Sequence, residues 1–503
     1  MDNDLDPRLF PDWLDAEKGS LNLPQFIVDL ARVEWALHKI KQHTAPTKPN
    51  LDILTVNPNL NLVPVSHQNL VALMDQEKSH EAIEVQASEG MHIIIWPDPK
   101  TGQTQIREAN DDDLLALKIV VEGINTQEAA SVGGVTPGAI EAVIHRAIMQ
   151  GILLSPKSLI RRDYPLPDAV SPDHEEFRSA DIFTLQWHIT QACDLHCKHC
   201  YDRSDRPPLP YDTALAILDD FHDFCHAMHV KGQVTFTGGN PLLYPNFSDI
   251  YRETFEHGFG IAILGNPSPM HQIEKLLDIK KPAFFQISLE GLEAHNDKIR
   301  GTGHFQRSLV FLDQLREHGI YTMVMLTLSR DNLNQVLPLA NILRDRTDFF
   351  TFNRLSTVGE GAQLFMAKPE DFQAFLKKYE DESHQNPVVG LKDNLFNIIR
   401  RQKDQDPFGG CTGYGCGAAF NFVALLADGE VHACRKFPSP IGNIRESRLF
   451  DIYHSEIAQK YRNGSTACHD CSLNIVCRGC PAITHSYGLN VFNDKDPFCF
   501  KTP

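Results

Sequence analysis

What most constrains this chain is where its cysteines lie. There are twelve in 503 residues. None precedes Cys193, three crowd into 193–200, Cys225 stands alone, and eight fall between Cys411 and Cys499. The start, Met1-Asp2-Asn3-Asp4-Leu5-Asp6, lacks the basic and then apolar stretches of a secretory signal, which places the chain in the cytoplasm. In that reducing compartment thiols serve metal binding or catalysis rather than structural disulfides. The distribution therefore predicts two sulfur-rich sites, one in the middle of the chain and one at its end.

Composition removes several classes of partner. The chain is 42% hydrophobic and 22% charged, as soluble globular proteins are, and has no run of about 18 apolar residues that could span a membrane. Its 47 Lys plus Arg against 65 Asp plus Glu leave a formal charge of −18, which repels a polyanion, so neither nucleic acid nor membrane is an expected partner.

The length suits two to four domains. Residues 1–165 read as an α+β, winged-helix-like domain. Phe26, Leu30, Val33, Leu37 and Ile40 follow Pro24 at helical spacing, and Met91–Trp96 and Thr104–Arg107 flank a turn at 98–102 as a β-hairpin. Three helices follow: one starting in Asp111-Asp112-Asp113, one capped by Thr126, and one opened by Thr136-Pro137. The proline-bearing stretch 163–180 suggests a linker, placed at 166–180. Between 181 and 364, six strand-like runs alternate with helical patterns: Thr184–Thr190, Gln233–Thr237, Ile261–Leu264, Ala283–Leu289, Thr322–Leu328 and Phe349–Asn353. This predicts an α/β fold, a partial (β/α)6 TIM-like barrel whose reaction centre lies at the C-terminal ends of its strands. Residues 365–405 read as a helical bridge and 406–503 as a Gly- and Cys-rich domain.

Cys193-Asp-Leu-His-Cys197-Lys-His-Cys200 directly follows the first barrel strand. Three thiolates on so short a loop can bind three irons of a [4Fe–4S] cube and leave the fourth iron open, whereas the rival, zinc, would recruit a fourth ligand. This CX3CX2C spacing resembles the defining motif of the radical S-adenosylmethionine (SAM) enzymes. Further segments resemble that family's motifs in order. Gly238-Gly239-Asn240-Pro241 stands where the family has Gly-Gly-Glu-Pro, a loop that receives the methionyl amino group of SAM. Asn240 departs from that pattern by giving up the carboxylate charge. Ser288-Leu-Glu290-Gly291 resembles the ribose-binding segment, and Arg300 the basic residue that meets the SAM carboxylate.

Eight late thiolates match two fully ligated [4Fe–4S] clusters or two zinc sites, and their number alone does not choose. Their order, Cys416, Cys434, then Cys468-X2-Cys471-X5-Cys477-X2-Cys480 and Cys499, resembles the SPASM extension of radical SAM peptide-modifying enzymes. That extension more often has CX2CX5CX3C, so Cys480 comes one residue early. The resemblance implies that Cys411, Cys416, Cys434 and Cys480 hold one auxiliary cluster and Cys468, Cys471, Cys477 and Cys499 the other. Cys225, in the helical pattern Ala214–His229, remains as a packed cysteine. In sulfatase-maturing relatives a basic aspartate follows the third ligand of the first auxiliary cluster, and here Arg435 stands there.

Together with Leu23–Ile40, which resembles the N-terminal module of partner proteins of multinuclear-iron peptide-modifying oxygenases, these features resemble the selenobiotic-type peptide maturases. The resemblance implies an oxidoreductase with SAM and three [4Fe–4S] clusters. It would reductively cleave SAM to a 5′-deoxyadenosyl radical and abstract hydrogen from a ribosomally made, Cys-containing peptide to form a thioether or another oxidative modification. The implied partners are the leader-bearing precursor and a reductant such as flavodoxin or ferredoxin. Two alternatives stand beside it: a radical SAM enzyme acting on a small metabolite or a leaderless protein, and a non-catalytic zinc or iron–sulfur scaffold.

Overall fold

Four consecutive bulky residues, Ile93, Ile94, Ile95 and Trp96, are all buried, which a strand achieves only when both faces of its sheet are covered. The computed structural model describes residues 9–42, 51, 53–74, 85–99, 101–162 and 176–501, and in it the four lie on the central strand of a three-stranded antiparallel sheet. The chain divides into two units, Met1–Lys157 and Ser158–Pro503. The first runs α1 (Phe10–Glu17), α2 (Ile27–Gln42), β1 (Thr55–Val56), β2 (Asn61–His67), α3 (Leu70–Leu73), β3 (Ala87–Pro97), β4 (Thr104–Glu108), α4 (Asp111–Glu122), α5 (Thr126–Gly133), α6 (Pro137–Met149) and β5 (Leu153–Leu154). Ile93 and Ile95 pack with Val33, Ala36 and Ile40 of α2, while Ile94 and Trp96 pack with Ala116 and Ile119 of α4 and Ile140 and Ile144 of α6.

The expected hairpin is β3–β4, and the three expected helices are α4 to α6. One cap is corrected: Thr126 is the first residue of α5, and Asn125 caps it by accepting the Glu128 N–H. Asparagine reaches that amide from the extended backbone just before the helix, as strong N-caps do. The pairing of β1 with β5, which brings Thr55 opposite Leu154, has no local signal in the sequence. Most of the expected linker, 163–175, lies outside the described residues.

The second unit begins with β6 (Ile182–Thr190), α7 (Tyr211–Ala227), β7 (Lys231–Gly238), α8 (Phe247–Glu256), β8 (Gly260–Leu264), α9 (Met270–Leu277), β9 (Phe284–Ser288), α10 (Glu293–Arg300), α11 (His304–Glu317), β10 (Thr322–Leu328), α12 (Val336–Leu343) and β11 (Phe349–Arg354). It continues with α13 (Pro369–Ser383), α14 (Phe396–Gln402), β12 (Phe422–Leu425), β13 (Glu430–His432), β14 (Pro440–Asn443), α15 (Leu449–His454), α16 (Glu456–Asn463) and α17 (Pro481–Ser486). Strands β6 to β11 are parallel neighbours in chain order. The sheet ends at β11 on one side and β14 on the other, so the barrel stays partial. The extension arises because β12 pairs parallel with β6, Phe422 opposite Thr184, and carries β13 and β14 beyond it.

Alternation along these strands explains which side is the site. Phe183, Leu185, Trp187, Ile189, Val234 and Phe236 belong to the apolar core under the helices. The residues between them, Gln186, His188, Thr190, Gln233, Thr235 and Thr237, fall on the opposite, inner face of the sheet. A polar inner face is what a ligand cavity needs and what a closed apolar barrel would not show. No helix of the described residues is long and apolar enough to cross a membrane.

Candidate functional site

The three-cysteine loop leaves β6 at the C-terminal end of the sheet, where the chain at the end of β7 is sewn to it. The Gly239 N–H donates to the Thr190 carbonyl at 2.8 Å, and the Asn240 N–H to the Ala192 carbonyl at 2.8 Å. A Cβ at Gly238 would lie 2.2 Å from the Thr190 oxygen, and one at Gly239 2.2 Å from the Ala192 oxygen, so two glycines are the condition for this approach. Pro241 is buried in the short turn that follows. The buried Asn240 amide donates to Asp194 at 3.1 Å and to Ser268 at 3.4 Å. Donation to a carboxylate is something the family's glutamate could not do in its ionised form. From the end of β8, Asn266 donates to the same Asp194 oxygen at 2.8 Å, and its amide nitrogen lies 3.6 Å from Cys193 Sγ.

A buried ion pair supports the loop from the other side. Glu290 follows β9 and Arg300 ends α10; Arg300 donates through Nε at 2.8 Å and Nη2 at 2.6 Å to Glu290 Oε1. The other oxygen accepts the Thr327 N–H at 2.8 Å, and His199 Nε2 lies 3.2 Å from Oε1. Burial alone would raise the pKa of this carboxyl, but His199, Arg300 and the Thr327 amide hold it far below the usual carboxylate range. Arg300 Nη1 is turned toward Cys197 Sγ at 3.7 Å. Burial pushes the Cys197 thiol up, while the Arg300 charge acts in the opposite direction. Ser288, the last residue of β9, is half-buried. Two backbone bonds complete the frame, Lys198 N–H to Ile299 at 3.0 Å and Glu360 N–H to Cys200 at 2.8 Å.

The eight late thiols sort into two sets. Cys416 is pushed up to about 12 by burial and by Cys480, Cys411 and Cys434, and Cys434 is raised to about 11 by burial with Cys480 and Cys411 as thiol neighbours. Cys468 is raised to about 11 by burial, Cys471 and Cys499, and Cys477 well above its ordinary value by burial, Cys499 and Cys471. The structure thus brings together 411, 416, 434 and 480, and separately 468, 471, 477 and 499. The helical bridge holds both sets. Asn394 accepts the Cys411 N–H at 2.7 Å and donates to the Gly479 carbonyl at 2.8 Å, and Asn397 donates to Val476 at 3.0 Å. Arg354, at the end of β11, bonds both oxygens of Asp496 at 2.9 and 2.7 Å and Asp393 at 2.7 Å, while Asp496 accepts the Cys480 N–H at 2.9 Å. Cys225, on α7, is buried in the core against Gly232.

The chain matches the radical SAM superfamily over residues 187–343 and the SPASM iron–sulfur cluster-binding domain over 416–481. It is a radical SAM enzyme with a SPASM domain. The radical SAM domain contains the three-thiol loop and the paired glycines, and the SPASM domain contains six of the eight late cysteines. Similar proteins include the AdoMet-dependent heme synthase of Methanosarcina barkeri, 24% identical over 63% of this chain and 96% of its own length. The mycofactocin maturase MftC of Mycolicibacterium smegmatis is 25% identical over 63% of this chain and 82% of its own. The antilisterial bacteriocin subtilosin biosynthesis protein AlbA of Bacillus subtilis is 25% identical over 54% of this chain, a match that spans 59% of AlbA. Among solved structures, Streptococcus suis SuiB bound to precursor peptide SuiA has a TM-score of 0.53 at 17% identity, covering 82% of this chain and 96% of that one, a likeness of fold.

The donor chemistry fits the cofactors of these domains, SAM with a [4Fe–4S] cluster in the first and auxiliary iron–sulfur clusters in the second. Among the strongest electrostatic neighbours of Cys197 are Arg300, Glu290 and the loop thiols Cys193 and Cys200, which suits a cluster held by three thiolates with one open iron. Each late set has four thiols, enough to close a cluster. Asp194, His199 and Asn266 were not singled out from the sequence. The signal that could have found Asn266 is its position two residues beyond a barrel strand, where catalytic residues of this architecture gather.

Proposed function

We propose that this enzyme modifies a ribosomally made precursor peptide. The observation that carries the reading is the combination of one three-thiol loop at a polar barrel face with two separate four-thiol sets: one open site for SAM and two closed sites suited to passing electrons. Cys193, Cys197 and Cys200 hold the SAM-binding cluster. Cys411, Cys416, Cys434 and Cys480 hold one auxiliary [4Fe–4S] cluster, and Cys468, Cys471, Cys477 and Cys499 the second. Held at this loop, the cluster and SAM would supply the radical chemistry that removes hydrogen from an unactivated carbon. The chain would position that chemistry: the Gly238–Pro241 loop would receive the methionyl amino group, the Ser288–Glu290 segment the ribose, and Arg300, held through Nε and Nη2 by Glu290, the SAM carboxylate. The product is a thioether or another bond made with net loss of hydrogen, and a cytoplasmic flavodoxin or ferredoxin supplies the electron.

The N-terminal unit recognises the leader by adding it as a strand to β4. Of the two outer strands, β2 is the poorer acceptor, because Pro64 has no N–H and the Ser66 N–H is taken by Asp29 at 2.8 Å. Among the described residues only β3 pairs with β4.

Coexpression with a short peptide encoded beside the gene, followed by mass spectrometry, tests the reading: the peptide should lose two hydrogens, and lose none when Cys193, Cys197 and Cys200 are replaced. A second reading, a small-metabolite substrate, is favoured by the match across nearly all of the heme synthase. It would be adopted if no peptide were modified or bound while SAM cleavage responded to an added metabolite.

A further inference from the structure

Among the described residues Arg435 has no ion-pair partner, and it reaches the polar face of the barrel sheet at Thr237. It follows Cys434 in the chain, beyond β13, and its Nη1 donates to Thr237 Oγ1 at 3.4 Å. Thr237 is buried on the polar face of β7 and immediately precedes the Gly238–Pro241 loop. His188 on β6 and Tyr201, whose hydroxyl lies 3.2 Å from His188 Nε2, both feel the Arg435 charge. One long hydrogen bond leaves most of a five-donor guanidinium unused.

Among the described residues, the carboxylates Asp202, Glu430 and Glu290 of this region are committed elsewhere. Asp202 is held by Ser204 at 2.6 Å and Gln191 at 2.9 Å, and lies 3.9 Å from Arg206. Glu430 pairs with Arg206 at 3.0 Å and His432 at 2.9 Å. Glu290 pairs with Arg300 and His199. His188, buried and held to about 3, stays neutral and so adds no charge of its own. Among the described residues, none of these carboxylates pairs with Arg435. A half-buried charge left unpaired in this way is costly unless a ligand or water completes it.

We propose that Arg435 binds a carboxylate of the peptide substrate, and so selects peptides in which the modified residue lies beside an acidic side chain or at the C-terminus. This rests on the peptide reading above and deepens it. A carboxylate docked on this guanidinium would be held next to Thr237, which fixes the adjoining residue at the mouth of the SAM-binding loop. An arginine, always protonated, can anchor a carboxylate but cannot act as a proton acceptor.

The test uses reconstituted holoenzyme and the precursor peptide encoded beside the gene. Arg435→Gln should raise KM for the peptide by about ten- to a hundredfold, the range for one charge-assisted hydrogen bond, and Arg435→Lys should recover part of that loss. On the wild-type enzyme, peptides with single Asp→Asn or Glu→Gln changes, or with an amidated C-terminus, should show the same rise for one change only, which identifies the source of the carboxylate. Combining that change with Arg435→Gln should add nothing further. Additive effects, or an unaltered peptide KM in Arg435→Gln, would overturn the proposal. So would an equal rise in the KM for SAM, because the carboxylate served would then be that of SAM. A wild-type enzyme that modifies no peptide would instead overturn the function proposed above, and this inference with it.

Discussion

The two cysteine regions solve one problem, holding iron with thiolates, by opposite means. The three-thiol loop is framed by the protein itself: glycines at the end of β7, Asn240 and Asn266 on Asp194, and a buried Glu290–Arg300 pair behind Cys197. The C-terminal sets are tied to the rest of the unit by Asn394, Asn397 and the Arg354–Asp496 pair, but their cysteines lie in irregular chain. Cys411 and Cys468 lie in short 3-10 segments, and Cys416, Cys434, Cys471, Cys477, Cys480 and Cys499 in irregular chain between strands and helices. In each set two thiols, Cys416 and Cys434 in one and Cys468 and Cys477 in the other, are raised by burial and by their thiol neighbours, a poor arrangement without metal and a good one with it. The difference teaches that an open site must be preorganised by protein because its cluster makes one bond fewer to it. A closed site can let its metal organise the chain.

The largest expected effect breaks the comparison at its catalytic end. Replacing Cys193, Cys197 and Cys200 by Ala should abolish SAM cleavage and remove about four irons, while the framed loop keeps the fold. Residual 5′-deoxyadenosine would show that another site performs the cleavage. Next comes Cys471→Ala, which should abolish peptide modification more completely than uncoupled SAM cleavage. It should also lower the thermal midpoint well beyond the change in the triple variant, since here the metal contributes folding free energy. Equal midpoints in calorimetry would refute the contrast.

Two smaller effects sharpen the account of the barrel frame. Glu290→Gln leaves Arg300 buried without its partner and should cost about 3–5 kcal/mol, read by denaturant unfolding. Because the folded pKa of Glu290 is depressed, its stabilisation is present above the unfolded value of 4.5 and lost as pH falls through the folded value. The gap between wild type and variant should therefore persist at neutral pH and close only in acid; a gap that closed near pH 7 would contradict the pairing. His188 gives the smallest effect. Burial, with the Arg435 charge, lowers it from 6.5 to about 3, so the unfolded chain takes up a proton that the folded one refuses. Stability should fall as pH drops from 6.5 toward about 3, by about 1.4 kcal/mol one unit below the upper limit. His188→Gln should flatten the slope of the thermal midpoint between pH 5.5 and 7, and an unchanged slope would place the titrating group elsewhere.

By itself the sequence determined the six barrel strands, the three helices after the hairpin, and every cysteine of interest. These depend on local periodicity and on spacing within a few residues: alternation in Thr184–Thr190, Pro137 opening α6, and three thiols within eight positions. The glycine pair, too, was legible, because it directly follows a strand. Other features were decided only by tertiary structure. Nothing near Phe422 announces that β12 will extend the barrel sheet beside β6, and nothing near Leu154 announces Thr55, because strand pairing joins residues distant in sequence. The same holds for Asp194 meeting Asn240 and Asn266, for Arg354 reaching Asp496, and for Arg435 standing against Thr237 with no ion-pair partner among the described residues. Spacing reveals which residues can share a ligand within one loop. Which charges are satisfied across loops depends on a packed fold, where burial makes each unpaired group costly enough to matter.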